Sequence, residues 1–187
     1  MKRPFVTKEQ LEELTQRFPT PFHLYDENGI RQTARKLKAA FAWNPGFREY
    51  FAVKATPNPA ILKILREEGC GTDCSSLTEL MLADRCGFSG QEIMFSSNDT
   101  PAEDFKLAHK LGAIINLDDF THIDFLKETI GTIPETISCR FNPGGVFTLG
   151  ESAEGFQVMD TPGDSKYGFT REQLFEGFKK LKAMGAK

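Results

Sequence analysis

The stretch Tyr50-Phe-Ala-Val-Lys-Ala-Thr-Pro-Asn-Pro59 joins an apolar, strand-like run to the start of a helix. Lys54 closes the strand, and Asn58 and Pro59 are suited to the N-cap and the first position of the helix. An ammonium group at the end of an apolar strand loses hydration, which raises the fraction of neutral amine, the form that attacks a carbonyl carbon. Lys54 is therefore a candidate Schiff-base lysine, and a solvated surface lysine is the ordinary alternative.

The same strand-and-helix unit recurs along the chain. Strands are predicted over residues 48–54, 70–74, 92–95, 113–117 and 135–141, at intervals of about 22 residues, with a helix between each pair. Repeated βα units predict an α/β fold with a parallel sheet. Short strands, and the lack of Gly-x-Gly-x-x-Gly after the first one, favour a (β/α)8 barrel, with a flavodoxin-like sheet as the alternative.

The first 47 residues precede this repeat. Thr7 and Gln10 fit a capping box that begins a helix, residues 22–25 are predicted to form a short strand, and a leading helix follows. We therefore divide the chain into residues 1–47 and a partial barrel over residues 48–187. About five βα units leave a (β/α)8 barrel open, so the chain is expected to stop before the barrel closes, as the N-terminal part of a larger protein.

Composition excludes several classes of function. The net charge is −3 at pH 7, and the charges form no basic stripe of the kind that binds nucleic acid. No apolar run has membrane-spanning length and the charged N-terminus lacks a signal-peptide core, which predicts a cytoplasmic protein without a membrane partner. The four cysteines and three histidines lack zinc-ligand spacing, which predicts reduced thiols and no metal site.

Three charged residues stand at the carboxyl ends of predicted strands, the edge where parallel α/β folds gather their chemistry. They are Lys54, Asp73 and Arg140, and helix capping explains none of them. Together, an amine, a carboxylate and a guanidinium can hold a carbonyl compound that carries anionic groups. A structural ion pair, or separate surface charges, is the alternative for Asp73 and Arg140.

Capping accounts for the other polar residues near the strand ends. Ser75 or Ser76, Asn98 and Asp118 are interpreted as N-caps. Glu79 is interpreted first as the N3 member of a capping box that begins at Ser76, and Thr100-Pro-Ala-Glu103 as a further capping box.

Five motifs resemble the pyridoxal-phosphate-dependent decarboxylases of fold type III, which have an alanine-racemase-like barrel, and the diaminopimelate decarboxylases in particular. In chain order they are Tyr50-Phe-Ala-Val-Lys-Ala55, Gly71-Thr-Asp-Cys-Ser-Ser76 with Glu79, Glu92-Ile-Met-Phe-Ser96, Cys139-Arg-Phe-Asn-Pro-Gly144 and Asp164-Ser-Lys-Tyr-Gly168. Each motif alone is weak, but their order and spacing cover nearly the whole chain.

This resemblance implies that Lys54 forms the Schiff base with pyridoxal phosphate, and that Asp73, Glu79 and Arg140 lie around the cofactor. Lys166 resembles a family lysine near the substrate loop and the subunit interface. The implied enzyme is a cytoplasmic, homodimeric carboxy-lyase of lysine biosynthesis that converts meso-diaminopimelate to L-lysine and carbon dioxide. The electron-sink chemistry is that of the cofactor.

The family also has parts that this sequence lacks. They are a histidine that stacks on the cofactor, a glycine-rich phosphate loop, a carboxylate that faces the pyridine nitrogen and a C-terminal β-domain. We therefore expect the 187-residue chain to be about the first half of the enzyme and to be inactive alone. The loop over residues 144–163 is also longer and more acidic than in many relatives.

Three alternatives stay open. The first is a polyamine-pathway decarboxylase that acts on ornithine, arginine or carboxynorspermidine, although Asn142-Pro-Gly144 and the Gly-rich loop favour diaminopimelate. The second is a non-catalytic barrel relative, and the third is a lysine-dependent aldolase that needs no pyridoxal phosphate. A racemase is disfavoured because Ala-Thr-Pro-Asn-Pro, and not a Gly-containing segment, follows Lys54.

Overall fold

The computed structural model describes residues 4–142 and 167–187. The chain divides into two compact units, Met1–Phe47 and Arg48–Lys187. The predictions for Lys166 and for the loop over residues 144–163 lie outside the described residues.

The first unit contains two helices, α1 (Lys8–Arg17) and α2 (Glu27–Ala40). The predicted capping box begins α1: Thr7 Oγ1 accepts a hydrogen bond from the Gln10 amide at 3.2 Å, and Gln10 Oε1 accepts one from the Thr7 amide at 2.8 Å. The strand predicted over residues 22–25 is wrong, because this segment has no regular secondary structure. A short alternating segment forms a strand only where a neighbouring strand pairs with its backbone.

The second unit contains a five-stranded parallel sheet with the strand order β1-β2-β3-β4-β5. The strands are β1 (Tyr50–Ala52), β2 (Gly71–Cys74), β3 (Ile93–Ser96), β4 (Ile114–Leu117) and β5 (Ile137–Cys139). All five lie inside or within one residue of the predicted segments. Each strand pairs with the next one along the chain, as in a (β/α)8 barrel, whereas a flavodoxin-like sheet reverses its strand order.

Helices follow the strands on one face of the sheet. They are α3 (Pro59–Glu67), α4 (Leu77–Arg85), α5 (Ala102–Lys110), α6 (His122–Ile130) and α7 (Arg171–Ala183). The predicted N-cap of α3 is confirmed, since Asn58 Oδ1 accepts a hydrogen bond from the Ala60 amide at 2.9 Å. Among the described residues, no helix is both long and apolar enough to pass through a bilayer.

Three predicted caps are wrong. The N-cap of α5 is Pro101, so Thr100 forms no capping box and Asn98 lies before the helix. The N-cap of α6 is Thr121, which leaves Asp118 outside that helix. Several polar residues precede each helix, and their spacing alone did not identify the one at which the helical backbone begins.

The core lies between the sheet and the helices. Phe95 and Leu117 point to the helices and are 0% exposed, and the Phe95 ring meets the Phe105 ring of α5 edge-on, with 6.0 Å between centroids. The opposite face of the sheet alternates with this one and carries Ser96 and Asn116. The four cysteines are free thiols, and burial raises the pKa of Cys74 to about 12.

Replacing Phe95 should weaken this core. Phe95→Ala removes a fully buried ring that packs on Phe105, so the free energy of unfolding should fall by about 3–5 kcal/mol in urea titrations. Phe175→Ala on α7 is the matched control, because Phe175 is 59% exposed and its loss should cost under about 1 kcal/mol. Equal effects of the two changes would contradict the packing described here.

Candidate functional site

The residues predicted from the sequence lie at the carboxyl edge of the sheet. Lys54 lies in a short 3-10 turn, Val53–Ala55, that directly follows β1. Asp73 lies in β2, beside Ala52 of β1 in the strand register. Glu79 is in the first turn of α4, and Arg140 directly follows β5. Parallel pairing of the strands therefore brings Lys54, Asp73 and Arg140 to the same edge, and α4, which follows β2, adds Glu79.

The ionisation of Asp73 is influenced by the other three charged residues. Burial raises the pKa of Asp73 to about 6; Lys54 and Arg140 oppose the shift, and Glu79 adds to it. Asp73 Oδ1 is buried and has no hydrogen-bond partner among residues 4–142 and 167–187. A carboxyl group that titrates near neutral pH, and has an unused acceptor atom, is suited to hold or exchange a proton in a binding site.

Lys54 differs from the expectation drawn from its apolar strand. The side chain is exposed, so the described residues do not supply the expected loss of hydration. Its ammonium group acts electrostatically on Asp73. The amine is therefore open to a carbonyl compound that enters at the edge of the sheet.

Glu79 combines a capping role with a place at the site. Ser76 caps α4 as predicted, and its Oγ accepts a hydrogen bond from the Glu79 amide at 3.4 Å. The Glu79 carboxylate accepts hydrogen bonds from the Ser75 amide at 3.1 Å, from Ser75 Oγ at 3.0 Å and from Ser76 Oγ at 3.2 Å. In a capping box, the Glu79 carboxylate would accept a hydrogen bond from the backbone amide of the N-cap, Ser76. Here it accepts one from the amide of the preceding residue, Ser75, which fixes the carboxylate beside the end of β2.

Asp118 is the direct partner of Arg140, and sequence reasoning missed it. The Asp118 side chain is 2% exposed, and its Oδ1 lies 3.0 Å from Arg140 Nε in an ion pair without hydrogen-bond geometry. Asp118 Oδ2 accepts a hydrogen bond from Nη1 at 3.3 Å. Arg140 Nη2 donates to Ser96 Oγ at 3.3 Å, and the guanidinium carbon lies 5.8 Å from the centre of the Tyr167 ring.

Strand register was the signal that could have identified this pair. Leu117 of β4 pairs with Cys139 of β5. The next residue of each strand is Asp118 and Arg140, so continuing the predicted parallel pairing by one position places the two charges side by side. Interpreting Asp118 as an N-cap concealed this relation.

A row of hydrogen bonds crosses the sheet next to the ion pair. Ser96 pairs in register with Asn116, and Asn116 pairs with Ser138. Asn116 Nδ2 donates to Ser96 Oγ at 3.2 Å, and Ser138 Oγ donates to Asn116 Oδ1 at 2.8 Å. Ser96 of β3 therefore connects Arg140 to polar side chains on two further strands, Asn116 of β4 and Ser138 of β5.

A cleft of about 340 Å³ opens beside the same ion pair. It lies where β3 and β4 run into the loops that follow them. Its lining residues are Asn98, Asp118, Asp119, Thr121, His122, Tyr167 and Gly168. The edge of the sheet therefore offers space for a small molecule next to the Asp118–Arg140 pair.

The strands pair in chain order, as in an α/β barrel, and comparison with known families identifies the class of protein. Residues 27–184 match the family described as pyridoxal-dependent decarboxylase, pyridoxal binding domain. The chain therefore belongs to the pyridoxal-dependent decarboxylases. The match is to a pyridoxal-binding domain, which argues against a lysine-dependent aldolase.

Individual relatives agree with this assignment. The chain is 41% identical over 177 residues to Protein TabA of Pseudomonas amygdali pv. tabaci, covering 95% of this chain and 40% of TabA. It is 32% identical over 143 residues to the diaminopimelate decarboxylase of Thermoplasma acidophilum, covering 76% of this chain and 34% of that protein. The chain thus spans less than half the length of these curated relatives.

A solved structure supports the barrel fold. The diaminopimelate decarboxylase of Helicobacter pylori, in complex with L-lysine, matches with a TM-score of 0.76 and 27% sequence identity. The match covers 93% of this chain and 43% of that one. The described strands and helices are therefore those of an alanine-racemase-like barrel.

Pyridoxal phosphate is the cofactor of this family, and the described residues fit it. The cofactor has an aldehyde, and Lys54 offers an exposed amine at the edge of the sheet. It also has polar and anionic groups. Asp73 Oδ1 is a buried acceptor without a hydrogen-bond partner among the described residues, and Arg140, whose charge acts on Asp73, has a side chain that is 41% exposed.

The raised pKa of Asp73 predicts a pH-dependent gain in stability for Asp73→Asn. A raised carboxyl pKa means that the folded chain favours the protonated form, so ionisation destabilises it as the pH rises from about 4 through about 6. The variant should therefore raise Tm at pH 7.5 by about 2–4 °C, which corresponds to a gain of ~1 kcal/mol in the free energy of unfolding after solvent screening. Near pH 4 it should leave Tm unchanged.

Thermal unfolding followed by circular dichroism at the two pH values measures this effect. Asp99→Asn is the control, because Asp99 is an exposed loop residue at the same edge of the sheet and its replacement should change Tm little. A gain of equal size at both pH values would show that the variant acts through packing and not through ionisation of Asp73.

Proposed function

We propose that this chain binds pyridoxal phosphate covalently through Lys54, and that it serves an amino-acid decarboxylase that acts on meso-diaminopimelate. The observation that carries the proposal is the convergence of Lys54, Asp73, Glu79 and Arg140 at the carboxyl edge of the sheet, where three of them act on the ionisation of Asp73. Membership of a family with a pyridoxal-binding domain supports the choice of cofactor.

Each of these residues has a defined task in the proposal. Lys54 Nζ would hold the cofactor through its aldehyde carbon, and the cofactor, when bound, would supply the electron sink for loss of the substrate carboxylate as carbon dioxide. Asp73, with a pKa of about 6, takes a proton from the neighbouring amine when that amine becomes a nucleophile. Arg140 places a positive charge where anionic groups enter the site.

Glu79 keeps this arrangement in place from the helix side. Hydrogen bonds from Ser75 and Ser76 hold its carboxylate next to β2, where its negative charge raises the pKa of Asp73. Burial and Glu79 raise the pKa of Asp73 to about 6 against the two cations, so the carboxyl group is mainly ionised at neutral pH and can accept a proton there.

Three observations support meso-diaminopimelate as the substrate. A diaminopimelate decarboxylase is 32% identical to this chain, and a second one, bound to L-lysine, has the same fold at 27% identity. The segment Asn142-Pro-Gly144 points in the same direction. A decarboxylase of ornithine, arginine or carboxynorspermidine is the competing proposal, and a non-catalytic relative is the alternative without turnover. Homodimer assembly and a cytoplasmic location belong to the main proposal.

Covalent attachment of the cofactor tests the role of Lys54. When the purified chain is incubated with pyridoxal phosphate and reduced with borohydride, peptide mass spectrometry should find the modification on Lys54, and Lys54→Ala should abolish it. Lys63→Ala, at an exposed lysine of α3, should leave the labelling of Lys54 unchanged. Labelling spread evenly over the surface lysines would contradict a specific site.

Competition before reduction tests the substrate. meso-Diaminopimelate should prevent labelling of Lys54 at about tenfold lower concentration than L-ornithine or L-arginine, which corresponds to ~1.4 kcal/mol of preference. All three compounds carry an α-amino group that reacts with free cofactor, so the difference between them reports the protein site. Stronger protection by ornithine or arginine would establish the polyamine-pathway alternative instead.

A further inference from the structure

The guanidinium of Arg140 is held mainly by residues outside the predicted cofactor site. Asp118 contacts Nε at 3.0 Å and Nη1 at 3.3 Å, and Ser96 accepts a hydrogen bond from Nη2 at 3.3 Å. All three nitrogens of the guanidinium group therefore have a partner in this network. Such a two-sided arrangement fixes the plane of the group as well as its position.

Because Asp118 is buried, its carboxylate needs the positive charge of Arg140 beside it. The Asp118 side chain is 2% exposed, and burial raises its pKa, whereas Arg140 and His122 oppose that shift and Asp119 adds to it. A carboxylate removed from water is costly unless an opposite charge lies beside it. Arg140 is 41% exposed and would be hydrated without this partner, so Asp118 restrains a side chain that could otherwise extend into solvent.

Backbone contacts hold the two residues in the same place. The Gly168 amide donates to the Asp118 carbonyl at 2.9 Å, and the Phe169 amide donates to the Arg140 carbonyl at 2.7 Å. Gly168 has φ of +112°, and a Cβ there would lie 3.1 Å from the Arg140 carbonyl oxygen. A glycine is therefore favoured at this position, where the segment before α7 is hydrogen-bonded to the backbone just after β4 and β5.

We propose that Asp118 is a positioning residue for the cofactor site, because its ion pair and hydrogen bond hold the Arg140 guanidinium in place at the carboxyl edge of the sheet. This inference rests on the proposed function, in which Lys54 carries the cofactor and Asp73 serves it. It goes beyond that function by assigning a task to a buried carboxylate that makes no contact with Lys54, Asp73 or Glu79 in the network described above.

Asp118→Asn separates this role from a simple loss of charge. The charged groups that act on Asp73 are Lys54, Glu79 and Arg140. Asp118 is not among them, and removing a negative charge can only lower the pKa of a carboxyl group or leave it unchanged. Release of Arg140 would instead raise the pKa of Asp73, so an upward shift distinguishes the positioning role from a simple loss of charge.

The experiment follows the pH dependence of cofactor attachment to Lys54 by borohydride trapping, from pH 5 to pH 9, with the purified chain. The acidic limb of the profile should move upward by about half a pH unit in Asp118→Asn and in Arg140→Gln, with no further shift in the double variant. Asp118→Glu should shift the limb less than Asp118→Asn does, because it keeps the negative charge. Glu135→Gln, which breaks the exposed Glu135–Lys187 ion pair, should leave the profile unchanged.

The outcomes separate this inference from the proposed function. If the wild-type chain attaches no cofactor at Lys54, both fail. If the wild-type chain attaches the cofactor, and a folded Asp118→Asn shows an unchanged or downward-shifted limb, the positioning role is wrong while the proposed function stands. If Asp118→Asn does not fold, Arg140→Lys decides: it keeps the positive charge but cannot make the forked contacts, so it should shift the limb upward, and a wild-type profile would overturn the inference.

Discussion

Parallel hydrogen bonding between consecutive strands is the constraint on which the candidate site depends. Residues that are about twenty positions apart in the chain become neighbours because β1 to β5 all run in the same direction and each pairs with the next. An antiparallel connection would send alternate strand ends to the opposite edge and separate Lys54 from Asp73. The apolar helix-facing residues, such as Phe95, fix this register, since a slip of one residue would turn Ser96 into the core.

The site also shows how function lowers stability in this fold. Asp73 is ionised at neutral pH although burial opposes it, and the energetic cost is offset only in part by Lys54 and Arg140. Asp118 is still less exposed, and its cost is offset by the ion pair with Arg140. The helix-facing side of the sheet carries none of these charges at its centre, so packing there can compensate for them.

The sequence predicts the repeated units well, because a short apolar run followed by an N-cap is a local signal. The strands and the caps at Thr7, Asn58 and Ser76 were predicted on this basis. Non-local relations were harder to predict. The role of Asp118 depends on its neighbour in the adjacent strand, and the exposure of Lys54 depends on what covers the strand end. Residues 22–25 alternate like a strand, but pairing decides whether a strand forms.

The row of hydrogen bonds across β3, β4 and β5 has a direction. Ser138 donates to the Asn116 oxygen, and the Asn116 nitrogen donates to Ser96 Oγ, which also accepts from Arg140. Both lone pairs of Ser96 Oγ therefore accept hydrogen bonds, and its own proton is directed to a different group, which has to be an acceptor. The hydrogen bonds are thus donated from β5 towards Ser96 of β3. The Ser96 hydroxyl remains as a donor beside the Arg140 guanidinium, so this part of the carboxyl edge presents donors to a bound molecule.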